Sequence, residues 1–171
     1  SKNNISDKFL LKIPGTSGVS VAISNKSGNY SAVVISGANL EISEKILSDD
    51  NLWKNCSFLM IQNEIKEKIN IRAAIEAKKR NIRVFLNAAP AKKINDELFN
   101  LVDILLVNEI ESQQLLDTKS TDFKRIAEEL SNYVSRIIIT LGDKGVVYFE
   151  KNKKVDHINA HSVDVKSAHG A

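Results

Sequence analysis

Cysteine is nearly absent from this chain, Cys56 being the one thiol among 171 residues. A lone cysteine excludes an internal disulfide framework and fits a reducing, cytosolic compartment. Its flanks, Asn55 and Ser57, lead into an apolar run, so a buried thiol before a strand is expected rather than a metal or redox site. Charge of one sign is also lacking. Twenty-four Lys+Arg stand against 21 Asp+Glu, a formal net charge of +3 with a pI near 8.9. The basic residues are scattered, which is too little for a surface that tracks nucleic-acid phosphates. No apolar run approaches the roughly 20 residues of a membrane span, and Ser1-Lys2-Asn3-Asn4 has no signal-peptide architecture. Neither nucleic acid nor membrane is expected as a partner, and a cytoplasmic location is. Internal repeats, low-complexity tracts and long linkers are missing too. The sequence opens on Ser1 rather than Met and closes on Gly170-Ala171, a pair common inside loops, so it is expected to continue at both ends.

What is present is globular in character. Forty-three per cent hydrophobic and 26% charged residues are enough for one buried core. The length suits a single domain or most of one, domains running to about 100–200 residues.

Two β-rich stretches, 17–25 and 30–36, flank the turn-forming Lys26-Ser27-Gly28-Asn29 and predict a β-hairpin with one covered face. A short helix is expected over 43–47. The compact apolar run 57–62 predicts a buried strand. Over 65–80, Ile65, Ile69, Ala73 and Ala77 recur every four residues with Lys and Arg between them, which predicts a helix with one apolar stripe. Strands are expected at 82–86, 102–107 and 137–141, helices at 109–116 and 121–134, and a late hairpin pairs 146–149 with 155–158 across 151–154. Alternating strands and helices of these lengths imply crossover units and a parallel sheet covered on both faces, an α/β core.

In an open parallel sheet, ligands bind beyond the carboxyl ends of the strands. Four segments occupy such places: Gln62-Asn63-Glu64, Asn87-Ala88-Ala89-Pro90, Asn108-Glu109-Ile110-Glu111 and Thr140-Leu141-Gly142-Asp143. Asn108 and Glu111 stand three apart where a strand passes into a helix. An amide and a carboxylate there can orient a phosphate and hold a hydrated Mg²⁺, or simply form a helix capping box. Thr140 through Gly145 contains two glycines that let backbone approach a nucleotide, with the Thr140 hydroxyl available to phosphate or ribose. It also reads as an ordinary hairpin turn. It is neither a Walker loop nor a dinucleotide fingerprint. Glu64 follows an apolar strand and can bind a sugar hydroxyl at the sheet edge, or be a solvated charge near a helix N-terminus. His157, His161 and His169 lack metal-ligand spacing and read as surface or loop residues. Trp53 reads as a core or rim aromatic, and Lys66, Lys68, Lys78 and Lys79 as a solvated helix face.

Taken in order, these segments resemble the PfkB family of carbohydrate kinases over nearly the whole chain. Thr16-Ser17-Gly18-Val19 and Gly37-Ala38-Asn39 resemble the stretch that ends the family's lid and begins its next helix. Leu86-Asn87-Ala88-Ala89-Pro90-Ala91 resembles the Leu-Asn-Pro-Ala-Pro-Ala of ribokinase members, with Ala88 in place of the first proline. Asn108-Glu109-Ile110-Glu111 resembles the Asn-x-x-Glu motif, and Thr140-Leu141-Gly142-Asp143-Lys144-Gly145 the Thr-Leu-Gly-x-x-Gly nucleotide segment. The signature Asp-Thr-x-Gly-Ala-Gly-Asp places Gly170-Ala171 on its Gly-Ala, with the catalytic Asp just past Ala171. Ser167 and Ala168 fall on its first Asp and Thr. That Asp helps to hold an activating monovalent cation in ribokinases, so the resemblance puts potassium activation in question.

The resemblance implies a ribokinase-like three-layer α/β/α fold with a mainly parallel central sheet and a small antiparallel lid. Residues 1–36 would form the lid hairpin region and its connection, and 37–171 part of the nucleotide- and sugar-binding core. The implied activity is phosphoryl transfer from ATP, with Mg²⁺, to the terminal hydroxyl of a small sugar such as D-ribose; fructose, a sugar acid or a nucleoside is the alternative substrate, and a non-catalytic nucleotide- or sugar-binding fragment the alternative role. Backbone N–H groups at Gly170 and Ala171 would form an anion hole. Asn108, Thr140, Leu141, Gly142, Asp143, Lys144 and Gly145 would bind nucleotide, Glu64 the sugar, and Glu111 would govern the Mg²⁺ shell. A homodimer through the lid is implied as well.

Overall fold

The structure is a computed structural model and describes residues 8–24, 30–153 and 155–163. Contacts divide the chain into two units, Ser1–Lys54 and Asn55–Ala171.

In the first unit, β1 (Val19–Ser24) and β2 (Tyr30–Ile35) pair antiparallel, with Val19 opposite Ile35 and Val21 opposite Val33. The hairpin is therefore present, but the expected covered face is not seen among the described residues, since Val19, Val21, Val33 and Ile35 on one face and Ser20 and Val34 on the other are all exposed; its turn at 26–29 lies outside the described residues. Two 3₁₀ turns, Gly37–Glu41 and Glu44–Ser48, and the single-turn α1 (Asp50–Trp53) follow. The short helix expected at 43–47 is the second of these turns, started by Ser43, whose side chain accepts from the Lys45 N–H. Asp49 caps α1 in the same way, accepting from Asn51 N–H at 2.9 Å. Residues 37–54, which the resemblance assigns to the core, cluster with this unit. Gly37 sits at φ +51°, where a Cβ would lie 2.6 Å from the Thr16 carbonyl oxygen, the oxygen that accepts the Ala38 N–H at 3.0 Å. Trp53 is buried and donates its indole N–H to the Leu47 carbonyl at 2.9 Å, as expected of a core aromatic.

The second unit is a six-stranded sheet in the order β3-β4-β5-β6-β7-β8. Its strands are β3 (Phe58–Gln62), β4 (Arg83–Asn87), β5 (Ile104–Asn108), β6 (Arg136–Thr140), β7 (Val146–Glu150) and β8 (Asp156–Ile158). The first four are parallel, and β7 and β8 add antiparallel. The connecting helices are α2 (Glu67–Lys79), α3 (Asp96–Phe99), α4 (Glu109–Leu115) and α5 (Phe123–Leu130). The sequence pattern thus finds the strands and the longer helices. It does not signal α1 or α3, single turns whose Asx caps, Asp49 and Asn95, are their main local cue.

Burial alternates along the central strands. Val84, Leu86, Leu105, Val107, Ile137, Ile139, Val147 and Phe149 are buried, and they pack with Ile69, Ala73, Ala74 and Ala77 of α2 and Ile126, Ala127 and Leu130 of α5 in the core. Each fully buried Leu or Ile contributes about 1.5–3 kcal/mol. The intervening Phe85, Leu106, Ile138 and Tyr148 are half-buried. Strands β3 to β6 follow one another in the sheet in chain order, with α2 packed on β3 and β4, and α5 on β6 and β7.

Three expectations are corrected here. Among the described residues the 57–62 strand is not buried: β3 comes at one end of the strand order, Phe58 and Met60 are 53% and 72% exposed, and Ile61 alone of its residues is buried. Cys56 is exposed, because it precedes that end strand rather than a central one. Lys78 is not simply solvated, since its ammonium pairs with Asp103 at 2.6 Å while the other Asp103 oxygen accepts the Val84 N–H at 2.8 Å. That bridge ties the end of α2 to the β4–β5 register. No helix among the described residues is long and apolar enough to cross a membrane.

Candidate functional site

Parallel strands align their carboxyl ends, so the side chains that follow them collect along one edge. Gln62 stands opposite Asn87, and Asn108 opposite Thr140, at the ends of β3, β4, β5 and β6. All four segments singled out in the sequence emerge from this edge.

At the end of β5, Asn108 leaves the strand and caps α4. Its Oδ1 accepts the Glu111 N–H at 2.8 Å, and Glu111 Oε2 accepts the Asn108 N–H at 2.9 Å. The capping box is real. It engages one oxygen of each side chain, so the Asn108 amide NH₂ and the second Glu111 oxygen are uncommitted by it. Asn108 is exposed and Glu111 half-buried. Structure and chemistry are thus compatible at this pair: the cap fixes both side chains at the strand end.

At the end of β6, the Thr140 hydroxyl donates to the Val107 carbonyl at 3.4 Å. Residues 141–145 then turn the chain into β7, Thr140 pairing with Val146. The segment is a hairpin turn, built on a 3₁₀ turn at Gly142–Lys144. Leu141 N–H donates to Gly145 C=O at 2.8 Å, and Lys144 and Gly145 N–H close back on the carbonyls of Leu141 and Gly142 at 3.1 Å each. The Leu141 side chain is buried, which anchors the loop and leaves Gly142, Asp143 and Lys144 exposed at its tip. Gly145 has φ +98°, and a Cβ there would overlap the Ile158 carbonyl oxygen and lie 2.7 Å from the Ala160 nitrogen. Two further contacts hold the tip: Lys144 Nζ meets Glu109 Oε1 of α4 at 3.6 Å, and His157 Nε2 lies 2.8 Å from the Lys144 carbonyl. His157 is an exposed strand residue with a loop-holding contact, consistent with its reading as a surface histidine.

At the end of β3, Glu64 is half-buried, and no hydrogen bond or ion pair among the described residues engages its carboxylate. The loop beneath it is held firmly. Asn63 is buried, its N–H donates to Ala89 C=O at 3.0 Å, its amide Nδ2 to Pro90 C=O at 3.0 Å, and its own carbonyl accepts from Lys92 Nζ at 2.8 Å. The Gln62 carbonyl accepts from the fully buried Asn70 Nδ2 at 2.8 Å. Lys92 and Asn70 escape a reading by motif alone. Asn70 carries a signal, being a polar residue three and four positions from Ala73 and Ala74 on the apolar stripe of α2.

Among the described residues, no three His, Cys, Asp or Glu side chains are grouped to hold a metal ion. A single carboxylate, Glu111, suits Mg²⁺ that arrives with phosphate oxygens and keeps its water shell, since that ion seldom takes an all-protein cage. Gly170, Ala171, Ser167, Ala168 and His169 lie outside the described residues.

Comparison with known proteins identifies the family and the fold. A family model described as pfkB family carbohydrate kinase matches residues 1–171. The chain is 32% identical over 161 residues to a ribokinase of Lactococcus lactis, covering 91% of the chain and 51% of the relative. It is 28% identical over 179 residues to a deoxyribokinase of Salmonella typhi, covering 98% of the chain and 56% of that protein. Among solved structures, Arabidopsis thaliana ribokinase complexed with ribose and ATP superposes with a TM-score of 0.72 at 25% identity, covering 85% of the chain and 49% of that structure. The chain spans about half the length of the curated relatives it matches. The fold is ribokinase-like.

Proposed function

The chain belongs to the pfkB family of carbohydrate kinases, and on that premise we propose that its protein transfers the γ-phosphoryl group of ATP to the terminal hydroxyl of a small sugar, D-ribose giving ribose 5-phosphate. The observation that carries this reading is the convergence on one sheet edge of a capped Asn108–Glu111 pair, the glycine loop after Thr140 and the unengaged Glu64 carboxylate.

Phosphoryl transfer asks little covalent chemistry of the protein and much positioning. The exposed Gly142-Asp143-Lys144 tip and Asn108 lie on adjacent strands, and we assign them to the nucleotide. Thr140 and Leu141 set that tip in place through the strand end and the core. Gly145 lets the tip return beneath β8. Glu64 accepts hydrogen bonds from sugar hydroxyls, an arrangement a carboxylate with no protein partner can make without breaking one. Mg²⁺, when bound with ATP near Glu111, neutralises charge on the phosphate oxygens. Gly170 and Ala171 are assigned to an anion hole for the transferred group. Ribose is favoured over other sugars by the likeness of the ribokinase relatives, and 2-deoxyribose is the second reading because a deoxyribokinase is also among them. We further assign the β1–β2 ribbon, whose Val19, Val21, Ile23, Val33, Val34 and Ile35 are exposed, to pairing of two copies.

The test is a coupled ADP-release assay of the protein as it occurs in the cell, with ATP, Mg²⁺ and, in turn, D-ribose, 2-deoxyribose, fructose and adenosine. Turnover with ribose at the highest kcat/KM upholds the reading. Preference for another acceptor reassigns the substrate. Nucleotide and sugar affinity without turnover would make the protein a binder.

A further inference from the structure

The Glu64 side chain makes no bond of its own among the described residues, so its aim is set by its backbone. A ligand carboxylate that is to meet sugar hydroxyls has to be held to within a few tenths of an ångström, by neighbours that are themselves locked. Its backbone neighbours are unusually well locked. Asn63, next in the chain, spends its N–H, its side-chain amide and its carbonyl on the loop that follows β4, through Ala89, Pro90 and Lys92. From the other side, Asn70 holds the Gln62 carbonyl. A buried asparagine is costly unless it is bonded, and Asn63, 6% exposed, lies where the preceding apolar run would admit a hydrophobe.

We infer that Asn63 and Lys92 are positioning residues for sugar binding: together they latch the Glu64 loop to the 88–92 loop and so present the Glu64 carboxylate. The inference rests on the assignment of Glu64 to the sugar. Neither residue touches the nucleotide elements, Asn108–Glu111 and the 140–145 loop, in any described hydrogen bond or ion pair. Loosening the latch therefore acts on the sugar and not on ATP.

The measurement is steady-state KM for D-ribose and for ATP, with ribose Kd by calorimetry, in the protein as it occurs in the cell, for Asn63→Asp, Lys92→Met, Lys92→Arg and Glu64→Ala. Asn63→Asp keeps the shape and removes the donor to Pro90; Lys92→Met removes the donor to Asn63, and Lys92→Arg retains one. Losing one hydrogen bond of ordinary net strength corresponds to about a fivefold change. The expected result is a rise of about fivefold in ribose KM and Kd for Asn63→Asp and for Lys92→Met, little change for Lys92→Arg, and an ATP KM unaltered throughout. Glu64→Ala, in the same assay, shows a larger rise for ribose alone. If Glu64→Ala raises the ribose constants while Asn63→Asp and Lys92→Met leave them within twofold, the latch is overturned and the Glu64 assignment stands. If Glu64→Ala changes nothing, the assignment fails and the latch with it. Equal rises for ribose and ATP reduce Asn63 and Lys92 to structural residues and also overturn the inference. Should Asn63→Asp fail to fold, the Lys92 pair alone decides.

Discussion

Asn108 and Glu111 each accept the other's backbone N–H, at 2.8 and 2.9 Å, so the residues assigned to phosphate and Mg²⁺ are also the lock on the first turn of α4. Cap and catalysis are separable by substitution. A glutamine in place of Glu111 still reaches back to the Asn108 N–H, since Glu and Gln serve alike in a capping box. Glu111→Gln is expected to keep the melting temperature within a few degrees and to lower kcat at least tenfold, about 1.4 kcal/mol of transition-state stabilisation, with a smaller effect on ATP affinity. Asn108→Ala loses the cap and about 1 kcal/mol of stability. Thermal denaturation beside steady-state kinetics reads both, and unchanged kcat in Glu111→Gln removes Glu111 from the metal role.

Glu64→Ala is expected to raise the ribose KM at least tenfold, because hydrogen bonds to a charged group are worth about 1.5–3 kcal/mol. The ATP KM is expected to stay put. An unchanged ribose KM would mean that Glu64 does not touch the sugar.

The two glycines of the 140–145 loop are expected to differ. Gly145→Ala forces a Cβ into the Ile158 carbonyl at φ +98°, and is expected to cost about 1–3 kcal/mol and to weaken nucleotide binding. Gly142→Ala meets no atom within 4 Å at φ +58° and bears only backbone strain of about 1–2 kcal/mol. Urea midpoints for the two variants give the ranking, and equal losses would contradict the packing at β8.

On α2, Glu76 lies among Arg80, Lys79 and Arg72, and the hydrogen bond from Arg80, then that from Lys79, hold its carboxyl down at about 2 from an ordinary 4.5. A folded pKa below the unfolded one gives stability that is complete above the unfolded value and drains away as pH falls through the folded one. Wild type and Glu76→Gln are therefore expected to differ by a constant amount at neutral pH, and the difference to shrink between about 4.5 and about 2. Denaturant unfolding across that range checks the sign; a gap that persists at pH 2 would assign Glu76's contribution to packing.

Much of the candidate site is legible in the chain because strand ends and helix caps are local events. The apolar runs before Glu64, Asn108 and Thr140 mark strands by composition alone, and the Asn-x-x-Glu and glycine spacings follow directly after them. The latch around Asn63 is not legible in this way. Its partners at 89, 90 and 92 are close in space because β3 and β4 are in register, with Gln62 beside Asn87, and no pattern within ten residues encodes that.

The sequence by itself determined the alternation of strand and helix, the α/β class and the residues that follow each strand, since periodicity and turn chemistry act over a few positions. Only the tertiary structure decided the strand order, and with it which side chains are covered. Among the described residues it set β3 at one end of the strand order, with Phe58, Met60 and the neighbouring Cys56 exposed, and brought Lys78 to Asp103 and Asn63 to Pro90. Burial and long-range hydrogen bonds depend on which segments become neighbours, and that is a property of the folded sheet rather than of any stretch of chain.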